Sequence, residues 1–113
     1  KWVRFILNQL IGNSIKYRTE KPRLTFYTEQ QSNQVLLFIK DNGIGIAEAD
    51  LPRVFEKGFT GQNGRNIQNS TGIGLYLCKR LCDKLGIGLS LHSGNNGTTA
   101  ILSFHINHFL VQG

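Results

Sequence analysis

Apolar positions recur along this chain with two different periods, and the periods divide it into elements. From Trp2 to Tyr17 the spacing is helical. Val3, Ile6, Leu7, Leu10 and Tyr17 fall on one side at 100° per residue. Gln9, Asn13 and Lys16 gather on the neighbouring side, within an arc of roughly 60°. Arg18 to Arg23 is a polar connection containing Pro22. Leu24–Glu29 and Gln34–Lys40 then read as strands, and the turn-forming stretch Gln30 to Asn33 joins them as a hairpin. Val35 to Ile39 is apolar on both faces, which predicts a central position in a sheet. Ala47 to Val54 reads as a short helix. Residues 56–71 are polar, carry Gly58, Gly61 and Gly64, and are expected to form a mobile loop. A second long helix is predicted over Gly72 to Leu85, with Leu75, Cys78, Cys82 and Leu85 on one stripe and Gly86 and Gly88 ending it. Ile87–His92 and Thr99–Ile106 are two further strands, joined through Gly94-Asn95-Asn96-Gly97. This order predicts an α/β (α+β) two-layer sandwich, with helices packed on one face of a mixed β-sheet.

Composition narrows the class. With 113 residues, 40% of them hydrophobic and 10% aromatic, the chain is one domain able to build its own core, and it is not of the disordered type. No apolar run reaches membrane-spanning length, and Lys1-Trp2-Val3-Arg4 is not the start of a signal peptide. Because the chain begins inside a helical pattern, it is expected to be a fragment of a longer protein. The net charge of +6 favours polyanionic partners, but the basic residues are scattered and form no arm of the kind that grips nucleic acid. Cys78 and Cys82 read as small packing residues, since a metal site would need two more ligands at a suitable spacing.

Two glycine-bearing runs carry the chemistry. Asp41-Asn42-Gly43-Ile44-Gly45-Ile46 puts a carboxylate after an apolar strand, and Ser70-Thr71-Gly72-Ile73-Gly74-Leu75 sits where a polar loop becomes a helix. A helix start offers free N–H groups and partial positive charge to a phosphate. A carboxylate able to read a base together with such a helix start suggests a nucleotide. Neither run is a dinucleotide fingerprint, because Glu48 and Leu77 occupy the position of the third small residue. There is no Gly-Lys-Ser/Thr of a Walker loop, and Gly43 at the third position rules out a calcium loop. Taken singly, Asn13 and Lys16 read more readily as solvated helix residues, Tyr17 as core, and Asp41-Asn42-Gly43 as a turn.

Taken in order, the motifs have a common likeness. Leu10-Ile11-Gly12-Asn13-Ser14-Ile15-Lys16-Tyr17 resembles the N-box of sensor histidine kinases. Asp41 to Gly45 resembles their first glycine box, Arg53 to Phe59 their phenylalanine box, and Ser70 to Leu75 their second glycine box. Asn96-Gly97-Thr98-Thr99 resembles a closing glycine-threonine element. Five elements in family order, over nearly the whole chain, resemble the catalytic ATP-binding domain of these kinases, which has the GHKL (Bergerat) fold. The stretch Lys57 to Arg65 also looks like that of small Gram-positive membrane kinases that respond to envelope stress and antibiotics.

The resemblance implies roles. Asn13 would hold Mg²⁺ through its amide oxygen, and Gln9, one turn earlier, keeps an amide oxygen for the same ion. Lys16 would reach a phosphate and Tyr17 would pack near the adenine. Asp41 would accept a hydrogen bond from the adenine amino group, with Gly43 and Gly45 letting the chain turn beside the base. Gly72 and Gly74 would let the lid backbone and helix start approach the phosphates, Thr71 and Leu75 would also bind ATP, residues 56–71 would form a lid, and Thr99 would help close the base pocket. The implied reaction is transfer of the ATP γ-phosphate to a histidine on a separate dimerisation domain, and from there to a response regulator. No nucleic acid is implied. The domain would be the cytoplasmic part of a membrane-anchored parent. A clamp-type GHKL ATPase and a non-catalytic nucleotide-binding module are the competing readings.

Overall fold

A computed structural model describes residues 1–59, 74–94 and 96–106. Helix α1 (Trp2–Lys16) is followed by β1 (Leu24–Gln30), β2 (Gln34–Asp41), a 3₁₀ turn (Leu51–Arg53), helix α2 (Gly74–Leu85), β3 (Gly88–Gly94) and β4 (Gly97–His105). The four strands lie in the order β1-β2-β4-β3. Two helices pack on this sheet, as the apolar periods predict.

The sheet is antiparallel at each of its three pairings, not mixed. The cause is the route of the chain. A mixed sheet would need β3 to lie beside β2 after the α2 crossover. Instead β3 takes the far edge, and β4 folds back between the two. The two hairpins β1–β2 and β3–β4 are therefore joined by the antiparallel pair β2–β4, with Ile39 opposite Ala100 and Leu37 opposite Leu102. As its apolar pattern predicts, β2 is central. Its Phe38 stacks on Tyr27 across the face away from the helices, ring centroids 4.6 Å apart.

The predicted helix over 47–54 is reduced to turns and the three-residue 3₁₀ element. Pro52 has no N–H to continue an α-helical ladder. The second helix begins at Gly74 among the described residues; Thr71 and Gly72 lie outside them, as does the predicted lid beyond Phe59.

The core lies between the helices and one sheet face. Ile6 and Leu10 from α1, Cys78 and Cys82 from α2, Ile39 from β2, Leu89 from β3, and Ala100 and Leu102 from β4 are buried together with Ile87. Leu7 packs against this cluster, whereas Val3 of the predicted apolar side is 40% exposed. Both thiols are reduced and fully buried, and Cys78 Sγ faces the Ile6 carbonyl oxygen at 3.6 Å. They are packing groups at the α1–α2 contact, as their spacing predicts.

Burial, reinforced by the neighbouring Cys82, pushes the Cys78 thiol up to about 12, and burial raises Cys82 as well. The unfolded chain loses these protons near pH 8.5, whereas the folded chain keeps them, so stability falls as pH rises from about 8.5 toward 12. Urea titrations at pH 7.5 and 10 are expected to show a smaller alkaline loss of stability in Cys78→Ala than in the parent. Equal losses would mean that the thiol titrates in its ordinary range.

Candidate functional site

The site grows from the last residue of β2. Asp41 is an inward position of that strand, two residues beyond buried Ile39, and its carboxylate is gripped from three directions. Oδ1 accepts the N–H of Gly43 at 2.9 Å and the N–H of Thr98 at 3.1 Å. Oδ2 accepts the hydroxyl of Ser14 at 2.8 Å. Helix α1, the turn after β2 and strand β4 thus meet on one half-buried acid. A carboxylate withdrawn from water needs such donors, because an uncompensated one would cost several kcal/mol.

The turn after Asp41 presses against the end of α1. The Ile44 N–H donates to the Tyr17 carbonyl at 3.0 Å. A Cβ on Gly43 would lie 2.5 Å from that same oxygen and 3.0 Å from Asp41 Oδ1, so no side chain fits there. Gly45 has φ +79° and runs against the Gly94 carbonyl, a second place where a Cβ is excluded. The Ile46 N–H donates to Ser93 Oγ at 2.7 Å, and Ser93 Oγ lies 2.8 Å from Thr98 Oγ1. Asn42 points the other way. Its Oδ1 accepts the Arg23 N–H at 2.7 Å and its Nδ2 donates to the Lys21 carbonyl at 2.9 Å, which pins the connection between α1 and β1.

Gln9, Asn13 and Lys16 share one flank of α1 by helical spacing and are half-buried. Among the described residues their side chains have no hydrogen-bond partner. Gln9 faces the start of α2, where a Cβ on Gly74 would come within 2.5 Å of Gln9 Oε1. The structure therefore brings Gln9 and Gly74 together and sets Asn13 beside Ser14, the residue that binds Asp41. Ser14, Asp41 and Gly43 also border a recess of about 110 Å³, whose other walls include Ile15, Arg18 and Leu24. That recess opens on the flank of α1 away from Gln9, Asn13 and Lys16.

Two expected site residues are placed elsewhere. Leu75 packs against the core cluster. Thr99 pairs with Lys40 and His92, positions on the sheet face away from the helices, and does not reach Asp41. Strand alternation is the reason: Ala100 and Leu102 point inward, so Thr98 shares their face and Thr99 does not. Ser14 and Thr98 lie inside the quoted motifs but carry no role in them, and Ser93 lies outside every motif; all three contribute here. Ser14 had a usable signal. It lies four residues after buried Leu10 and three before Tyr17, and a hydroxyl on a buried stripe requires a partner.

The fit to an adenine nucleotide rests on these donors and gaps. Asp41 presents an acceptor beside a glycine with no room for a side chain. Gln9 and Asn13 offer neutral amide oxygens and Lys16 an ammonium group, a set suited to a hard divalent cation carried by phosphates.

In binding tests, Thr99→Val is expected to leave adenine-nucleotide affinity within about twofold. Gly43→Ala, which forces a Cβ onto the Tyr17 carbonyl, is expected to lower stability by about 1–3 kcal/mol and to weaken binding at least tenfold. A large loss from Thr99→Val, read by calorimetric titration, would contradict the strand register.

Comparison with known proteins agrees with this geometry. Residues 1–108 match the family described as histidine kinase-, DNA gyrase B- and HSP90-like ATPase. The chain is 42% identical to the sensor protein kinase GraS of Staphylococcus aureus (strain Newman) over 113 residues, 99% of this chain and 32% of that protein. It thus spans about a third of the length of the curated relatives it matches. Among solved structures, a mycobacterial sensor histidine kinase, MprB, superposes with a TM-score of 0.81 at 23% identity, covering 92% of this chain and 72% of that one. The histidine kinase AdeS of Acinetobacter baumannii gives 0.69 at 25% identity, covering 94% of this chain and 46% of that one. With its two helices on a four-stranded sheet and its match over nearly all of its length, the chain belongs to the histidine kinase-, DNA gyrase B- and HSP90-like ATPase family, with the GHKL fold of histidine kinase catalytic domains.

Proposed function

We propose that this chain is the ATP-binding catalytic domain of a two-component sensor histidine kinase, and that it delivers the γ-phosphate of ATP to a histidine on a separate dimerisation domain. A response regulator then takes the phosphate from that histidine. The observation that carries the reading is the triply held Asp41 carboxylate, set beside Gly43 and bound to Ser14, the residue that follows Asn13 on α1. The relation to a sensor kinase along the whole chain favours this reading over a clamp-type ATPase or an inert nucleotide binder.

Each group has a defined task. Asp41 accepts the exocyclic amino hydrogen of adenine, which a guanine carbonyl cannot supply. Asn13, assisted by Gln9, offers amide oxygen to Mg²⁺, and Lys16 meets a phosphate oxygen. A Mg²⁺ held by Asn13 and Gln9 would supply neutralisation of phosphate charge. Tyr17 bounds the base side through its place at the end of α1, and Gly74 with Gln9 marks the phosphate side. The motif likeness alone assigns Thr71 and Gly72 to ATP binding and residues 56–71 to a lid; residues 60–73 lie outside the described part of the chain. The protein's contribution is orientation and charge placement, so the domain alone binds ATP yet transfers phosphate slowly without its acceptor. Among the described residues no helix is long and apolar enough to cross a membrane. We assign the domain to the cytoplasmic side of a membrane-anchored parent of the envelope-stress kinase type.

The test is titration of the chain with ATP and GTP, with and without Mg²⁺. ATP is expected to bind at least tenfold more tightly than GTP, and Asp41→Ala to abolish that preference. Asn13→Ala is expected to cut Mg²⁺-dependent transfer at least a hundredfold when the histidine-bearing domain is supplied. Unchanged ATP affinity in Asp41→Ala would overturn the base-reading role.

A further inference from the structure

We infer that Ser14 is a specificity-positioning residue: its hydroxyl fixes the one oxygen of Asp41 left to read the purine and keeps that edge an acceptor. The inference rests on the nucleotide reading above and deepens it.

A serine inside a helix normally turns its hydroxyl back to the carbonyl four residues earlier. Ser14 instead donates across the fold to Asp41 Oδ2, 2.8 Å away and 27 residues along the chain. The carboxylate's lone pairs can be counted. Oδ1 is taken by two backbone N–H groups, from Gly43 and Thr98. Those donors are main-chain atoms, so no side-chain substitution removes them directly. Oδ2 is held by the Ser14 proton and keeps one further lone pair. A base can meet Asp41 only there, and only by donating.

The commitment of the single hydroxyl proton matters as much as the distance. If Ser14 rotated to donate to a purine carbonyl, Oδ2 would lose its protein donor and face that carbonyl oxygen lone pair to lone pair. An amino group creates no such conflict. Ser14 also stops the carboxylate from swinging about its Cβ–Cγ bond, because Oδ2 is tied to α1 while Oδ1 is tied to β4 and the turn. In Ser14→Ala that anchor goes, and water in its place can turn either way. Asp41 remains but is less well aimed. Ser14→Thr keeps the hydroxyl on the same stripe of α1.

The test uses ATP and ITP, which share the triphosphate; in ITP a carbonyl replaces the 6-amino group of adenine and N1 carries a proton. In calorimetric titrations of the chain with Mg²⁺, Ser14→Ala is expected to lower ATP affinity about tenfold, the worth of one hydrogen bond to a charged group. ITP affinity should stay within about twofold, so the ATP-to-ITP ratio falls close to tenfold. Ser14→Thr should restore most of the ratio. An equal loss for both nucleotides, with no rescue by threonine, would mean that Ser14 merely supports the fold and would overturn the inference. So would an unchanged ratio in Ser14→Ala. If the parent chain itself does not distinguish ATP from ITP, the base-reading role of Asp41 fails first, and the Ser14 inference falls with it. A parent that discriminates beside a Ser14→Ala that discriminates equally well removes the Ser14 inference alone.

Discussion

One carboxylate ties this fold together. Asp41 ends the central strand β2 and takes hydrogen bonds from α1, from its own turn and from β4. These three pieces are distant in sequence, and each must be in register for its donor to arrive. The Thr98 N–H is available only because β4 lies beside β2 with Ala100 opposite Ile39. The Ser14 hydroxyl is available only because Ile6 and Leu10, on the same stripe of α1, are buried against the sheet. Packing therefore sets the geometry of the acid, and the acid's need for donors in turn penalises any slip of helix or strand. A one-residue slip of β4 would point Ala100 and Leu102 away from the core and withdraw the donor to Asp41 at once.

The rest of the architecture follows from covering only one face of the sheet. Apolar groups of α1 and α2 meet β2, β3 and β4 through Ile6, Cys78, Ile39, Leu89 and Leu102. Two small thiols at the helix contact let α1 and α2 approach closely. That approach brings Gln9 against Gly74, where a Cβ would meet the amide oxygen and turn the flexible Gln9 side chain aside. The flank of α1 bearing Gln9, Asn13 and Lys16 is thereby held at the edge of the core and not inside it. Polar and charged groups without hydrogen-bond partners are tolerated at such an edge; deeper, their desolvation would cost several kcal/mol.

Most of this was legible in the sequence, for physical reasons that can be named. The period of α1, the doubly apolar β2 and the stripe Leu75-Cys78-Cys82-Leu85 are local patterns, and local patterns survive folding. The order of the glycine runs pointed to a nucleotide site because close backbone approach has few other solutions than glycine. The errors fall where the outcome depended on partners far away in sequence. Whether β3 or β4 lies next to β2 is decided by the crossover, so the mixed sheet was not excluded by any local pattern. Thr98 and Thr99 are chemically alike, and only the register with Ile39 tells which one faces the acid. Asn42 reads as a turn residue but clamps the Lys21–Arg23 connection, a contact no spacing rule would supply.

The choice of neutral donors around Asp41 has its own logic. The chain has 13 Lys and Arg against 7 Asp and Glu, so a cation for this acid was easy to find. Arg18 and Arg23 border the same recess as Asp41, yet Arg18 spends its guanidinium on the Ile15 carbonyl and Arg23 meets Asn42 through its backbone. The ion pairs among the described residues, Arg53–Glu56 and Lys79–Asp83, lie elsewhere, with both acids more than half exposed. An arginine on Asp41 would fill both oxygens in a bidentate clasp and neutralise the charge of the carboxylate. Two amides and a hydroxyl hold the carboxylate just as firmly in place, leave its negative charge intact, and spare one lone pair. A carboxylate anchored by donors that do not exhaust it stays able to accept one further hydrogen bond.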